Sequence, residues 1–222
     1  MKILCIADHV DPLVYSPALK QRFKDVELVL SAGDLPLTYY DFIMSILNKP
    51  LLFVFGNHNL KGIERYRGCG DAVGHFPPGR REEEAPAGGA VHMNCRVRRE
   101  KAVLVAGLGG SMWYNGGENQ YTDFQVWVRL LAMAPALLIN KLRYGRYLDV
   151  LLTHAPPQGI HEGQDRCHRG FRAFLWFMRV FKPQYLVHGH IHLYTQDTDR
   201  SSRYLQTTVV NAYDHALIEV RV

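Results

Sequence analysis

Seven short runs in this chain are rich in β-branched residues and leucine: KILCIA, VELVLS, PLLFVFG, KAVLVAG, LDVLLT, QYLVHG and HALIEV. Several are apolar at consecutive positions rather than at alternate ones, which marks strands covered on both faces. Helical stretches separate many of them. Lys20 to Lys24 belongs to one, Tyr39 to Asn48 to a second and Phe171 to Phe181 to a third. A longer helix runs through FQVWVRLLAMA, opened by the capping box of Thr122 and Gln125. Strands alternating with helices predict an α/β fold. The segment from Gly68 to Gly89, centred on HFPPGRREEEAPAGG, reads as an exposed loop or flap. No strand-rich block stands apart and no repeat is visible, so residues 1–222 read as one domain.

Composition removes several classes of function. The 222 residues are 47% hydrophobic and 21% charged, ordinary values for a globular chain with a sizeable core. No apolar run approaches the ~20 residues a membrane span needs. Only five consecutive apolar residues, Ile3 to Ala7, precede Asp8, shorter than an export leader is expected to be, and the cysteines (Cys5, Cys69, Cys95, Cys167) form no C-x-x-C pair. Reduced thiols and a cytoplasmic location are the expectation. The net charge is +5. Part of the excess lies in RVRREK (Arg96 to Lys101), read as a solvated basic face rather than a polyanion groove.

Five of the apolar runs end in side chains that ligate metals. KILCIA leads to Asp8, VELVLS to Asp34, LLFVFG to Asn57 and His58, LDVLLT to His154, and QYLVHG to His188, His190 and His192. In open α/β sheets, sites gather outside the carboxyl ends of strands. Carboxylate, amide and imidazole donors without a thiolate suit Mn, Fe, Zn or Co. The donors outnumber the needs of one ion, so two divalent ions sharing a carboxylate is the economical arrangement. Each piece also has a plainer reading. Gly33-Asp34 alone is a common turn, Asn57 a turn residue, and His154 a strand end before Ala155-Pro156-Pro157.

The ordered series D…GD…GNH…H…GHxH resembles the calcineurin-like metallophosphoesterase superfamily, from Ile3 to about Val210. That resemblance implies a four-layer α/β/β/α sandwich of two packed mixed sheets with a two-metal site. It implies that Asp34 bridges the ions, that Asn57, His154 and His190 complete one, and that Asp8 and His192 serve the other. His58 would face the substrate phosphate as the catalytic residue.

Two departures stand out. The first motif usually reads D-x-H, and here the third position is Val10, with His9 one place early and Asp11 one place late. Either neighbour is a candidate metal or substrate contact, although a one-residue shift redirects a side chain and Pro12 biases Asp11 towards a turn. Asn59 stands where an acidic residue commonly follows the catalytic histidine. Further substrate-side candidates are Tyr114 and Asn115 in GLGGSMWYNGGENQYT, and His168 and Arg172 in QDRCHRGFRAF, each with surface-loop or packing alternatives. His188 reads as a buried supporting histidine, and His75, His92, His161 and His215 as structural.

The resemblance implies hydrolysis of a small phosphomonoester or phosphodiester. Two other readings stay open: a nuclease-like diesterase, and a weakened member of the fold serving as a protein-binding scaffold. No membrane partner is expected, and the oligomeric state is not legible.

Overall fold

The computed structural model describes residues 1–58, 60, 63, 89–193 and 199–221, so Asn59, Cys69, His75 and the segment 68–88 lie outside the described residues. The first half of the chain runs β1 (Lys2–Ala7), α1 (Leu19–Arg22), β2 (Val26–Ser31), α2 (Leu37–Leu47), β3 (Leu51–Phe53), β4 (Val91–His92), β5 (Arg96–Glu100) and β6 (Val103–Leu108). Then follow β7 (Ser111–Met112), β8 (Gln120–Tyr121), α3 (Asp123–Tyr144), β9 (Val150–Thr153), α4 (Arg172–Phe181), β10 (Tyr185–His188), β11 (Ser201–Tyr204), β12 (Thr207–Asn211) and β13 (Asp214–Glu219).

The strands form two large mixed sheets, ordered β13-β1-β2-β3-β4 and β11-β12-β10-β9-β6-β5. In the first, β1, β2, β3 and β4 are parallel and β13 returns antiparallel to β1. In the second, β12, β10, β9 and β6 are parallel, with antiparallel β11 and β5 at its edges.

Side-chain alternation then explains why the runs are apolar throughout. Ile3, Cys5 and Ala7 of β1 point into the core between the sheets, with Leu28 and Leu30 of β2, Val150 and Leu152 of β9, and Val187 of β10. Leu4 and Ile6 point the other way, into a second core with Leu19, Tyr39, Tyr40 and Ile43 from α1 and α2. On the far side, Leu151 and Leu186 meet Val126, Leu130, Phe174 and Phe177 of α3 and α4. Residues on both faces of the central strands therefore have an apolar layer to face, and the result is the predicted four-layer arrangement of helices around two sheets. The capping box at Thr122 is present: its Oγ1 accepts from the Gln125 N–H, and Gln125 Oε1 accepts from the Thr122 N–H. The basic run RVRREK is the edge strand β5, paired with β6 on one side only.

Candidate metal centre

Parallel strands deliver their carboxyl ends to one side of each sheet. Asp8 follows β1, Asp34 and Asn57 follow β2 and β3, and His154 and His190 follow β9 and β10. Three of these five leave their strands in the left-handed conformation: Asp8 (φ 65), Asp34 (φ 57) and His190 (φ 68). A left-handed residue with a side chain is uncommon and costs of order 1–3 kcal/mol unless its surroundings hold it. Here the backbone supplies the hold. Asp8 N–H donates to Gly33 O (3.0 Å), and His190 N–H donates to both Asp8 carboxylate oxygens (3.0 and 2.9 Å). His58 N–H donates to Asp34 Oδ1 (2.8 Å).

At the centre, His154 Nε2 lies 3.3 Å from Asp34 Oδ2 and 3.1 Å from Asn57 Oδ1. Its Nδ1 is 2.7 Å from the Ala32 carbonyl, which can only accept, so Nδ1 carries a proton. In the neutral ring the Nε2 lone pair then faces two oxygen acceptors. Asn57 is fixed in the same sense, because its Nδ2 donates to the Tyr114 hydroxyl (3.4 Å) and leaves Oδ1 turned inward. His190 Nε2 donates to the Cys167 carbonyl (2.7 Å), leaving Nδ1 free to ligate. Donor atoms of Asp34, His154 and His190, all three buried, lie within 4.8 Å of one another. Lone pairs converging on one point, each ring held through its other nitrogen, fit a divalent cation.

The titration behaviour has the same origin. Burial pushes Asp8 up, and with the Asp34 charge it outweighs His154 to set Asp8 at about 7. Burial also opposes ionisation of Asp34, yet the adjacent His154 prevails and holds that carboxyl below its ordinary value. His154 is the mirror case: burial depresses it, but Asp34 and Asp8 raise it to about 9. Two carboxylates in a buried pocket thus favour a positive charge beside them, which a divalent cation could equally supply.

The remaining sequence candidates divide. His58 is exposed at the rim and tied in through its backbone. His192 is also exposed, its ring 5.0 Å from that of Tyr213. His9 Nδ1 binds Asp214 Oδ1 (2.6 Å), and Asp11 binds His215 and the Leu13 N–H, so both face β13 and its approach instead of the Asp34 cluster. Val10 is partly buried against the α1–α2 core. Asn115 turns into its own loop, accepting from the Gly117 N–H (3.0 Å) and Gln120 Nε2 (2.7 Å). His168 pairs with Asp165 (2.8 Å) and lies against His190, ring centroids 5.1 Å apart, while Arg172 begins α4. His188 is buried and bonded to His161 (2.9 Å), which continues to Ser202 (2.8 Å).

Sequence reasoning missed what orients the ligands: the Ala32 and Cys167 carbonyls, the bracing by Asn119, and the role of Tyr114, expected on the substrate side and found bonded to Asn57. Asn119 donates through Nδ2 to the carbonyls of Phe55 and Gly56 and so braces the loop that carries Asn57. Backbone carbonyls leave no mark in a sequence. Only the Gly-rich loop hinted at the other two.

Residues 1–194 match the family model described as calcineurin-like phosphoesterase. The chain belongs to this family. Members of the calcineurin-like phosphoesterase family bind divalent metals and are generally hydrolytic, and Asp34, His154 and His190 form a group that could hold such an ion. Among solved structures, TT1561 of Thermus thermophilus is 14% identical, with 96% of this chain and 89% of that one covered and a TM-score of 0.58. A hypothetical protein from the same organism is 17% identical over 95% of this chain and 75% of that one, with a TM-score of 0.50. Vps29 from Entamoeba histolytica (14% identical, 96% and 73% covered) superposes only at 0.37. At such identities the first two speak for the fold alone. No curated protein matches the sequence.

Proposed function

We propose that this chain is a metal-dependent phosphoric ester hydrolase acting on a small phosphomonoester or phosphodiester. The observation that carries the reading is the convergence of Asp34 Oδ2, His154 Nε2 and Asn57 Oδ1 within 3.1–3.3 Å contacts at the strand ends, with His190 beside them. In this reading Asp34 would be shared between two divalent ions (Mn, Fe, Zn or Co), Asn57, His154 and His190 would hold one of them, and Asp8 and His192 would hold the other. Such ions supply charge neutralisation for a phosphoryl group and acidify a water to a nucleophile at neutral pH. The chain's own residues do the positioning. Ala32 O and Cys167 O lock the two imidazoles, Tyr114 locks the amide of Asn57, and exposed His58 stands at the rim where it can donate to the leaving oxygen.

One observation favours a second reading, a weakened enzyme serving as a scaffold. Val10 offers no donor, and its polar neighbours His9 and Asp11 are engaged by Asp214 and His215. The net charge of +5 leaves a nucleic-acid diesterase as a third. The deciding experiment combines elemental analysis with turnover of mono-aryl and bis-aryl phosphates in added Mn. Metal uptake with turnover that vanishes in Asn57→Ala supports the hydrolase. A well-folded chain that turns over neither ester with any metal supports the scaffold, and failure to take up metal removes the two hydrolytic readings.

A further inference from the structure

Beside the metal-type cluster, the loop from Arg166 to Gly170 and the start of α4 wall a cavity of about 230 Å³. Arg166, Arg169 and Arg172 line it, with Trp113 and Gln158. None of the three guanidiniums has a hydrogen bond or ion pair among the described residues. The one carboxylate on the wall, Asp123, directs Oδ1 to the Ala173 N–H (3.2 Å) at the beginning of α4. Three like charges around one small cavity repel each other, and each keeps a planar donor fork that matches phosphate. The volume lies below the ~300 Å³ at which pockets hold whole small molecules, so it suits one substituent of a larger ligand. The wall is shared with the metal-type cluster: between Arg166 and Arg169, the Cys167 carbonyl accepts from His190 Nε2 and the His168 ring lies against that of His190.

We propose that this arginine pocket is a second-anion subsite, which makes the substrate a small molecule with a second phosphate besides the scissile ester. The proposal rests on the hydrolase reading above. Trp113, half exposed at 50%, offers a flat apolar face to the part of the ligand between its two anions. The test is calorimetric titration of the full chain, as purified, with inorganic pyrophosphate and with orthophosphate. Arg169→Ala/Arg172→Ala should weaken pyrophosphate at least tenfold and change orthophosphate less than twofold. Equal pyrophosphate affinity in wild type and double variant overturns the proposal. If arginine-dependent pyrophosphate binding persists while no phosphoester is turned over with any metal, the subsite stands and the hydrolase reading falls.

A separate observation concerns α3. Its inner face buries Val126, Leu130, Met133 and Leu137. Its outer face exposes Phe124 (76%), Val128 (36%), Leu131 (48%), Leu138 (53%), Ile139 (61%) and Leu142 (89%). Between the two bulky groups sit only small or short exposed residues, Ala132, Pro135 and Ala136. The pattern bulky–small–bulky is nearly symmetric about the helix midpoint. It therefore complements itself when a second α3 lies antiparallel across a two-fold axis, with Phe124 of one copy opposite Leu142 of the other. At roughly 60–120 Å² per fully exposed side chain of this size, with the small residues added, the stripe offers at most about 500 Å² per copy. Across two copies that upper figure, about 1,000 Å², reaches the floor for a specific interface.

We infer that this face pairs two copies of the chain. Sedimentation equilibrium of the full chain between about 1 and 200 μM should show a monomer–dimer equilibrium. Leu138→Glu/Leu142→Glu should shift it at least tenfold towards monomer with the far-UV spectrum unchanged. A wild-type chain that stays monomeric at 200 μM, or a dimer indifferent to the two glutamates, refutes the pairing. So does a monomer that floats with anionic phospholipid vesicles, since a lipid surface would then be the occupant.

Discussion

Gly56 is the position where a single methyl group interrogates the metal centre. A Cβ built there meets Asp34 Oδ1 at 2.1 Å, Asp34 Cγ at 2.5 Å and His154 Cε1 at 2.5 Å. Ordinary contact needs more than 3 Å, so Asp34 and His154 must retreat by about 1 Å. Gly56 does not occupy the left-handed region, so Gly56→Ala adds little backbone strain, unlike Gly33 at φ +103. The perturbation is therefore aimed at two ligand side chains. Overpacking of this size costs about 1–3 kcal/mol, and the protein should still fold. Metal geometry tolerates only ~0.2 Å, and a 1 Å misplacement of reacting groups costs about 10²-fold in rate. The expected outcome is a folded variant with a lowered Tm, at least tenfold weaker metal retention on dialysis and at least 10²-fold lower kcat with Mn. Elemental analysis after dialysis reads metal retention independently of catalysis. If Gly56→Ala keeps full metal content and activity within twofold, Asp34 and His154 are not ligands and the proposed centre is wrong.

Three further outcomes follow from other parts of the molecule. Val10 packs against the helix-side core, so Val10→His should leave the metal retained on dialysis unchanged; a rise towards two ions per chain would show that position 10 reaches the centre. Asp149 is fully buried and accepts from the Leu104 N–H (2.9 Å), Arg146 Nε (2.7 Å) and Gln184 Nε2 (2.9 Å), so Asp149→Ala should cost about 3–5 kcal/mol in urea denaturation. A loss below ~1 kcal/mol would refute that accounting. His92 packs between Phe53 and Phe55, and burial, then Arg96, depress it to about 3. A histidine neutral in the fold but protonated when unfolded contributes stability above its unfolded pKa of ~6.5, lost as pH falls towards 3. By pH 5 the loss should be at most about 2 kcal/mol, and His92→Phe should flatten the stability–pH profile there; a slope identical to wild type counts against it.

The sequence made the layers legible because burial on both faces leaves a chemical trace. Runs such as VELVLS and LDVLLT are apolar at consecutive positions, and they became β2 and β9 between a sheet and a helix layer. Elements without that trace went unseen. β4, β7 and β8 are two residues each, too short for any periodicity, and β5 and β11 are solvent-facing edge strands whose charged and hydroxyl side chains read as surface. β12, TTVVN, carries only two apolar residues, Val209 and Val210, too few to stand out although both are buried. The candidate ligands were legible for a different reason: a metal centre is specified by side-chain chemistry, and the strand-end rule placed it. What orients those ligands was not, since carbonyls carry no signal and the Asn57–Tyr114 contact joins residues 57 apart.

The departure at the first motif shows how the two kinds of information combine. Sequence alone made His9 and Asp11 candidate replacements for the absent histidine. In the fold, β1 and β13 pair antiparallel with Ile6 opposite His215 and Ala7 opposite Asp214. In the strap that follows β1 and Asp8, the polar residues meet those same partners, His9 with Asp214 and Asp11 with His215. The chain therefore doubles back after β1 instead of extending the ladder, and two side-chain contacts fasten the strap after Asp8 to the start of the final strand. Val10, between them, turns to the helix-side core. The stretch where the family resemblance leads one to expect a further ligand forms a structural joint here. Removing the joint should disturb Asp8 more than Asp34, because Asp8 lies on the strap whereas Asp34 is held by the His58 N–H and His154.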